Sequence, residues 1–361
     1  MTWPDNGASA AARHRMAADL AGGGWSEWID AFTAVPRHVF VPRFYRQDTA
    51  GAWQSVTWEE PGYLEAVYSD DALTTQVDDH GVPTSSSSQP SVMLRMLEAL
   101  GADGGDQVLE LGTGTGYNAA LLAHRHGASH VTSVDIDTGL VEAAVRHLDT
   151  VGLQPTVVAG DGAQGCPSRA PYDRVIATVA LRMIPQPLLR QAAPGAVIVV
   201  PLGYGLARLT VTGPGHAVGS FLDTPAFFMA RRADGEPPQF EEVARQPTTI
   251  SRMPPADLLG RLKFPASVAL PGYHSCSWNS AEGELETVGL WTPDGSTATA
   301  HVSGAVRQCG PQRLWDTVES LAEVFDGEPA REDFRLIVTP TRQVVSYKGP
   351  DGPNWELPPS P

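Results

Sequence analysis

Residues Val108–Asn118 read V-L-E-L-G-T-G-T-G-Y-N. A short apolar strand carries one acid, Glu110, and breaks into Gly112, Gly114 and Gly116. A run with helical spacing, Tyr117–His126, follows at once. Strand, glycine turn and helix in immediate succession are the front of a βαβ unit, whose turn admits a ligand close to the backbone. The turn is not G-x-x-x-x-G-K-[ST], so no phosphate-cradling lysine follows. Its spacing is also not G-x-G-x-x-G, and an anion at Glu110 would repel the pyrophosphate of a dinucleotide.

Working outward, strands and helices alternate. The pattern predicts strands at Gln107–Leu111, His130–Asp135, Pro155–Ala159, Tyr172–Ala177 and Ala196–Pro201. Helices are predicted at Tyr117–His126, Leu140–Val151 and Pro185–Ala193. This order predicts an α/β fold with a doubly wound, Rossmann-like parallel sheet. A helix starting at Gln89-Pro90 precedes it, with Val92, Met93, Met96, Leu97 and Leu100 on one face. Residues 1–80 read as short helices and loops, and 232–256 as a Pro- and charge-rich linker. Phe334–Thr339 and Gln343–Lys348 read as a hairpin, and 349–361 as an unstructured tail carrying Trp355. Three regions are expected: an N-terminal helical cap (1–80), the doubly wound α/β core (81–231) and a C-terminal α+β extension (232–361).

The acids narrow the ligand. Asp135 ends the second predicted strand and Asp161-Gly162 follows the third. With Glu110 they put three acids at consecutive strand ends, along the carboxyl edge of the sheet where ligands of open α/β folds bind. An acid near a sulfonium and an ammonium, one for a ribose diol and one for an adenine amino group suit S-adenosylmethionine, which has no phosphate. A nicotinamide enzyme is the alternative for the same turn. Each acid by itself is as well explained as a turn or N-cap residue.

The remaining totals exclude more than they identify. A formal net charge of −16 argues against nucleic acid, whose binding rests on phosphate neutralisation. The apolar runs are too short for a bilayer and the N-terminus lacks a signal peptide's apolar stretch, so a cytoplasmic, membrane-free protein is expected. Cys166, Cys276 and Cys309 are widely spaced, and His124, His126 and His130 lack a carboxylate partner, so no metal site is predicted.

Further motifs carry a resemblance. V-P-R-H-V-F-V-P (Val35–Pro42), Y-S-D-D-A-L (Tyr68–Leu73), S-S-S-Q-P (Ser86–Pro90), G-D-G (Gly160–Gly162), A-P-Y-D-R-V-I-A-T (Ala170–Thr178), Ile184-Pro185 and V-V-P-L-G (Val199–Gly203) occur in one order. Together with the glycine loop they resemble the protein-L-isoaspartate O-methyltransferases. The resemblance implies methyl transfer from S-adenosylmethionine to a side-chain carboxylate of a peptide, leaving S-adenosylhomocysteine. It implies Ser88 as the active-site serine, although an N-cap role for the helix at Pro90 is an alternative. It implies Glu110, Gly112, Thr113, Gly114, Asn118, Asp135, Ile136, Asp161, Gly162 and Thr178 as cofactor residues. Tyr68, Asp70, Ser86, Ser87 and Trp355 are candidates for the substrate side. Ser87 stands where the family prefers a bulky apolar residue, and the C-terminal extension resembles that of a subgroup acting on macrocyclised ribosomal precursor peptides (graspetides and lanthipeptides). That subgroup methylates aspartate and thereby forms aspartimide. A modified precursor peptide is therefore the expected partner, with repair of isoaspartyl proteins as the alternative and a non-catalytic binding module as a third possibility.

Overall fold

A computed structural model describes residues 5–359 except 23, 25 and 230–239. They fall into two compact units. The first comprises 1–179, 185–200 and 210–215; the second comprises 180–184, 201–209 and 216–361. The boundary differs from the expected one at 231, and residues 1–80 belong to the same unit as the glycine loop.

The first unit opens with helices α1 (Gly7–Ala21), α2 (Ile29–Ala34) and α3 (Arg37–Phe40). Strands β1 (Arg43–Gln47) and β2 (Trp53–Thr57), helix α4 (Tyr63–Val67), and strands β3 (Leu73–Val77) and β4 (Pro83–Ser87) follow. The expectation of helices and loops alone is corrected here: these strands form an antiparallel sheet in the order β2-β1-β3-β4. Their sequences, R-F-Y-R-Q, W-Q-S-V-T, L-T-T-Q-V and P-T-S-S-S, lack clean apolar alternation, so the period-2 signal is absent. Two D-x-x-G turns set the hairpins. Asp48 Oδ1 accepts from the amides of Ala50 and Ala52, and Asp78 Oδ1 from those of His80 and Val82. Gly51 and Gly81 take the positive φ these turns require, 82° and 79°.

Helix α5 (Pro90–Leu100) then leads into β5 (Val108–Leu111), α6 (Tyr117–His126), β6 (Val131–Asp135), α7 (Thr138–Thr150), β7 (Thr156–Ala159), β8 (Tyr172–Ala177), α8 (Gln186–Gln191) and β9 (Ala192–Leu202). Strands β9-β8-β5-β6-β7 lie side by side in that order, all parallel. This is the doubly wound arrangement expected from the alternation. Val108, Leu109, Val131, Val175, Ile198 and Val199 are wholly buried, as strands covered on both faces must be. The order reverses at β5, whose neighbours are β6 and β8, and the glycine loop leaves β5 at that point.

The chain continues through β10 (Gly205–Gly213) and β11 (His216–Pro225). In the second unit follow α9 (Glu241–Ala244), β12 (Thr249–Ile250), α10 (Ala256–Leu259), α11 (Lys263–Ala269), β13 (His274–Asn279), β14 (Leu285–Trp291), β15 (Thr297–His301), β16 (Ala305–Cys309), α12 (Leu314–Val324), β17 (Phe334–Val338), β18 (Gln343–Tyr347) and β19 (Asn354–Glu356). Strands β12-β16-β15-β14-β13 form one antiparallel sheet. Strands β11, β17, β18 and β19 pair antiparallel in that order, and the predicted hairpin is β17–β18. The linker expected at 232–256 lies partly outside the described residues; its later part contains α9 and β12. No helix among the described residues is long and apolar enough to cross a membrane.

The tail is not unstructured. Trp355 lies in β19 opposite Val345, and its ring stacks at 6.2 Å from Phe325 and 5.9 Å from Phe334. The apolar ring supplies the burial that the Pro- and Gly-rich flanks lack. Trp355→Ala should therefore destabilise the protein by about 1–3 kcal/mol in a urea titration. An unchanged midpoint would show that the stacking contributes nothing.

Candidate active site

The glycine loop ties three strands together at their carboxyl ends. Gly112 donates its N–H to Val134 O at 2.8 Å, and Thr178 N–H reaches Leu111 O at 2.8 Å. The Thr178 hydroxyl donates to Gly112 O at 2.6 Å. Gly112 has φ 92°, and a Cβ there would lie 2.8 Å from both Thr178 Oγ1 and Val179 Cγ1. Only glycine fits both constraints. Gly116 (φ 87°) starts α6 and lets it approach α7, since a Cβ would sit 3.1 Å from Ala144 Cβ. Thr178 thus acts on the loop backbone, and Gly162 packs its bare Cα against Leu111.

Of the three acids, Glu110 is the most constrained. It is fully buried, accepts from Asn118 Nδ2 at 2.7 Å on one oxygen, and accepts from the Ser133 hydroxyl on the other. Ser133 in turn hydrogen-bonds the Thr113 hydroxyl at 2.6 Å. Burial raises the Glu110 pKa to about 7, against the lowering effect of the Ser133 and Asn118 bonds. Both oxygens are thus held by protein groups, whereas Asn118 Oδ1 is buried without a partner among the described residues. Asp135 Oδ2 accepts the Gly114 N–H at 2.8 Å and Oδ1 the Asp137 N–H at 3.0 Å, which aims the carboxylate while leaving lone pairs for further donors. Ile136, next in the chain, is 53% exposed, an apolar surface at the strand end. Asp161 accepts the Ala163 N–H at 3.0 Å at the end of β7.

Ser88 follows β4 directly. Its hydroxyl has no hydrogen bond to any described residue. The N-cap alternative is not realised: Gln89 occupies that position and no cap-residue side chain bonds the helix. Strand β4 lies against the glycine loop, because a Cβ on Gly114 would be 3.7 Å from Ser85 Oγ and from Ser86 O. Gln76 of β3 adds a bond to Asp137 Oδ2 at 3.3 Å. The strand bearing Ser86 and leading to Ser88 is therefore docked beside the residues expected to hold a cofactor.

Four of the substrate-side candidates have partners within the protein. Ser87 is buried, and its hydroxyl accepts from Arg37 Nε at 3.3 Å, so it faces the interior rather than lining a wall. Asp70 caps α5 from outside, accepting the Ser91 N–H at 2.8 Å and Gln89 Nε2 at 3.1 Å. Tyr68 is buried with its hydroxyl 2.7 Å from His38 Nδ1. Trp355, half-buried, stacks on Phe325 and Phe334 of the second unit. Each is a polar or aromatic residue whose local partner, invisible in a linear reading, satisfies it. The residue overlooked was Arg37. It is wholly buried and donates to Val67 O (2.9 Å), Ser69 O (3.1 Å), Asp71 O (2.9 Å), Ser87 O (3.4 Å) and Ser88 O (3.1 Å). The quoted V-P-R-H motif was its only signal. Among the predicted non-ligands, His126 packs edge-on to Trp28 and His130 pairs with Gln107. No cluster of three or more His, Cys, Asp or Glu suited to a metal occurs among the described residues.

A parallel sheet with reversed order at a glycine loop, acids at three strand ends and no phosphate-binding lysine define a Rossmann-like class I S-adenosylmethionine-dependent methyltransferase fold. Residues 24–212 match the family Protein-L-isoaspartate(D-aspartate) O-methyltransferase (PCMT), and the chain belongs to that family. It is 48% identical over 118 residues to a protein-L-isoaspartate O-methyltransferase of Anaeromyxobacter dehalogenans (strain 2CP-C), covering 32% of this chain and 56% of that one. It is 36% identical over 200 residues to one of Gloeobacter violaceus (strain ATCC 29082 / PCC 7421), covering 55% of this chain and 85% of that one. The chain spans about half the length of several curated relatives it matches. A solved protein-L-isoaspartate O-methyltransferase structure is similar in fold, with TM-score 0.54 at 22% identity, over 91% of this chain and 96% of the other.

The raised pKa of Glu110 has a definite sign. An acid whose pKa rises on folding favours the folded state below its unfolded value, near 4.5, and loses that contribution as pH climbs through about 7. Glu110→Gln has the same shape and cannot ionise; its carbonyl keeps the Asn118 bond, while its amide nitrogen donates to the Ser133 hydroxyl, where the carboxylate accepts from it. The ligand-free variant should be more stable than wild type at pH 8 by about 1–3 kcal/mol and nearly equal at pH 4.5, measured by urea denaturation. Equal stability at pH 8 would show that the buried carboxylate is not destabilising.

Proposed function

We propose that this protein is an S-adenosylmethionine-dependent carboxyl O-methyltransferase acting on isoaspartyl residues of peptides and proteins. The supporting observation is the docking of β4 against the glycine loop at Ser85 and Ser86, with the Ser88 hydroxyl unengaged two residues further on. The residues present fit the cofactor. The orphaned Asn118 Oδ1 and the anion of Glu110 behind it suit an ammonium, Asp135 a vicinal diol, and exposed Ile136 a flat apolar ring.

When bound, S-adenosylmethionine supplies an electrophilic methyl group. A peptide carboxylate has an ordinary pKa near 4, so it is ionised at neutral pH and needs no general base. Transfer neutralises that anion, and a group that held the anion strongly would oppose the step. Ser88 as a neutral donor to one oxygen orients the carboxylate without deepening its ground state, which makes positioning the main task of the site. Glu110, buried behind Asn118, sets the local potential rather than touching the reacting atoms.

A second reading, methylation of an ordinary aspartate in a macrocyclised precursor peptide followed by aspartimide formation, draws its support from residues 213–361 beyond the family match. That support is weaker than the sequence suggested, since the solved isoaspartate enzyme aligns over 91% of this chain. Ser87, the other support, faces Arg37 instead of a substrate. Mass spectrometry after incubation with S-adenosylmethionine separates the readings. A linear isoaspartyl peptide should gain one methyl group, and Ser88→Ala should lower kcat/KM by roughly tenfold or more. Methylation confined to a cyclised aspartyl peptide, which then ends one water lighter than it began, would overturn the isoaspartate assignment.

A further inference from the structure

We propose that Arg37 is the positioning residue of the substrate-carboxylate subsite: it grips the peptide carbonyls of Ser87 and Ser88 so that the Ser88 and Gln89 amides, with the Ser88 hydroxyl, face the other way as three donors for the carboxylate. The inference deepens the reading above and rests on it.

The argument starts from what the guanidinium touches. All of its donors go to one hydroxyl and five main-chain carbonyls, and no carboxylate pairs with it among the described residues. A wholly buried cation held only by neutral dipoles is a costly arrangement for stability alone. Arg37 joins two chain segments, Val67–Asp71 and Ser87–Ser88, that lie 16 or more positions apart. Two of its acceptors are consecutive. The peptide bonds Ser87–Ser88 and Ser88–Gln89 are trans, the single cis bond among the described residues being Ala170-Pro171. In a trans peptide the N–H points opposite to the C=O. With both carbonyls turned toward Arg37, the next two amides, Ser88 N–H and Gln89 N–H, point away from it.

Neither amide donates to any described residue. The Ser88 hydroxyl is also unengaged, and both residues are only half-buried. They sit at the end of β4, the edge strand of its sheet and the strand that lies against Gly114. Two amides turned away from Arg37 and the free Ser88 hydroxyl offer three donors for the two oxygens of a carboxylate. The cation behind them polarises both peptide groups, so their N–H ends attract an anion while the guanidinium stays out of reach of the reacting oxygen. This solves the difficulty that a cation in direct contact would create, namely over-stabilising the anion that the reaction consumes. Because the anion's charge vanishes on transfer, the donors' hold weakens along the reaction, and loss of their alignment falls on substrate binding more than on turnover.

Steady-state kinetics on an isoaspartyl peptide, with Arg37→Lys and Arg37→Met beside wild type, test this, together with calorimetry of S-adenosylhomocysteine binding. Arg37→Met should raise the peptide KM by roughly tenfold or more, with kcat changed less than about threefold and cofactor affinity unchanged; Arg37→Lys should fall between. A parallel loss of cofactor affinity, or a fall in kcat with KM unchanged, would overturn the proposal, because either marks a general structural role. A measurement on wild type alone stands beside the variants if these do not fold. The neutral isoasparaginyl amide of the same peptide should inhibit with a constant roughly tenfold or more above the acid's, and equal affinity would overturn the donor cradle. A wild type that methylates no peptide would instead overturn the functional reading on which the inference rests.

Discussion

The turn at Gly112 holds the architecture of the site. At φ 92° its backbone bends where β5 ends, its amide reaches β6, and its carbonyl takes the Thr178 hydroxyl from β8. A side chain there would occupy the space of Thr178 and Val179. The ends of β5, β6 and β8 are thereby locked around one residue, and Glu110 of β5 and Asp135 of β6 acquire fixed relative positions. Gly114, two residues on, delivers its amide to Asp135 and its bare Cα to β4. The acid-bearing strand ends and the strand leading to Ser88 therefore meet at one short loop.

Two buried charges flank that loop, and both oppose stability. Glu110 sits behind Asn118 with a pKa raised to about 7 by burial, and Arg37 lies under Ser87 and Ser88 with only carbonyls and a hydroxyl as partners. Groups of this kind persist where their field is used. Under the proposed function the arrangement is symmetric in logic: a buried acid set behind an amide on the side assigned to the cationic cofactor, and a cation set behind peptide groups on the side assigned to the substrate carboxylate. Neither charge contacts the reacting atoms directly, which suits a reaction that annihilates one positive and one negative charge and gains nothing from holding either too tightly.

The parallel core was readable because its strands are nearly all apolar and its helices keep a 3.6-residue period; β5, α6, α7 and β8 lie within two residues of the expected bounds. The placement of the glycine loop and its acids was readable because strand-end acids and turn glycines are local features. The β2-β1-β3-β4 sheet was not, because polar strands such as P-T-S-S-S earn their pairing from tertiary context. Side-chain roles failed most where the partner is distant in sequence. Asp70 looks like a pocket acid until Ser91 is beside it, Ser87 like a wall until Arg37 is behind it, and Trp355 like a loose tail until β18 is alongside. Arg37 itself was quoted only as part of a motif, since nothing linear reveals that six acceptors converge on it.

The measurement that bears most directly on this account is titration calorimetry of S-adenosylhomocysteine into the wild-type protein and an Asp135→Ala variant. The account predicts one site per chain in wild type and a loss of affinity of roughly tenfold or more in the variant, because the carboxylate held by the Gly114 amide is the last residue of β6 and keeps lone pairs for a ligand's donors. Absence of binding by wild type, or equal affinity in the variant, would contradict the assignment of the strand-end crevice as the cofactor site.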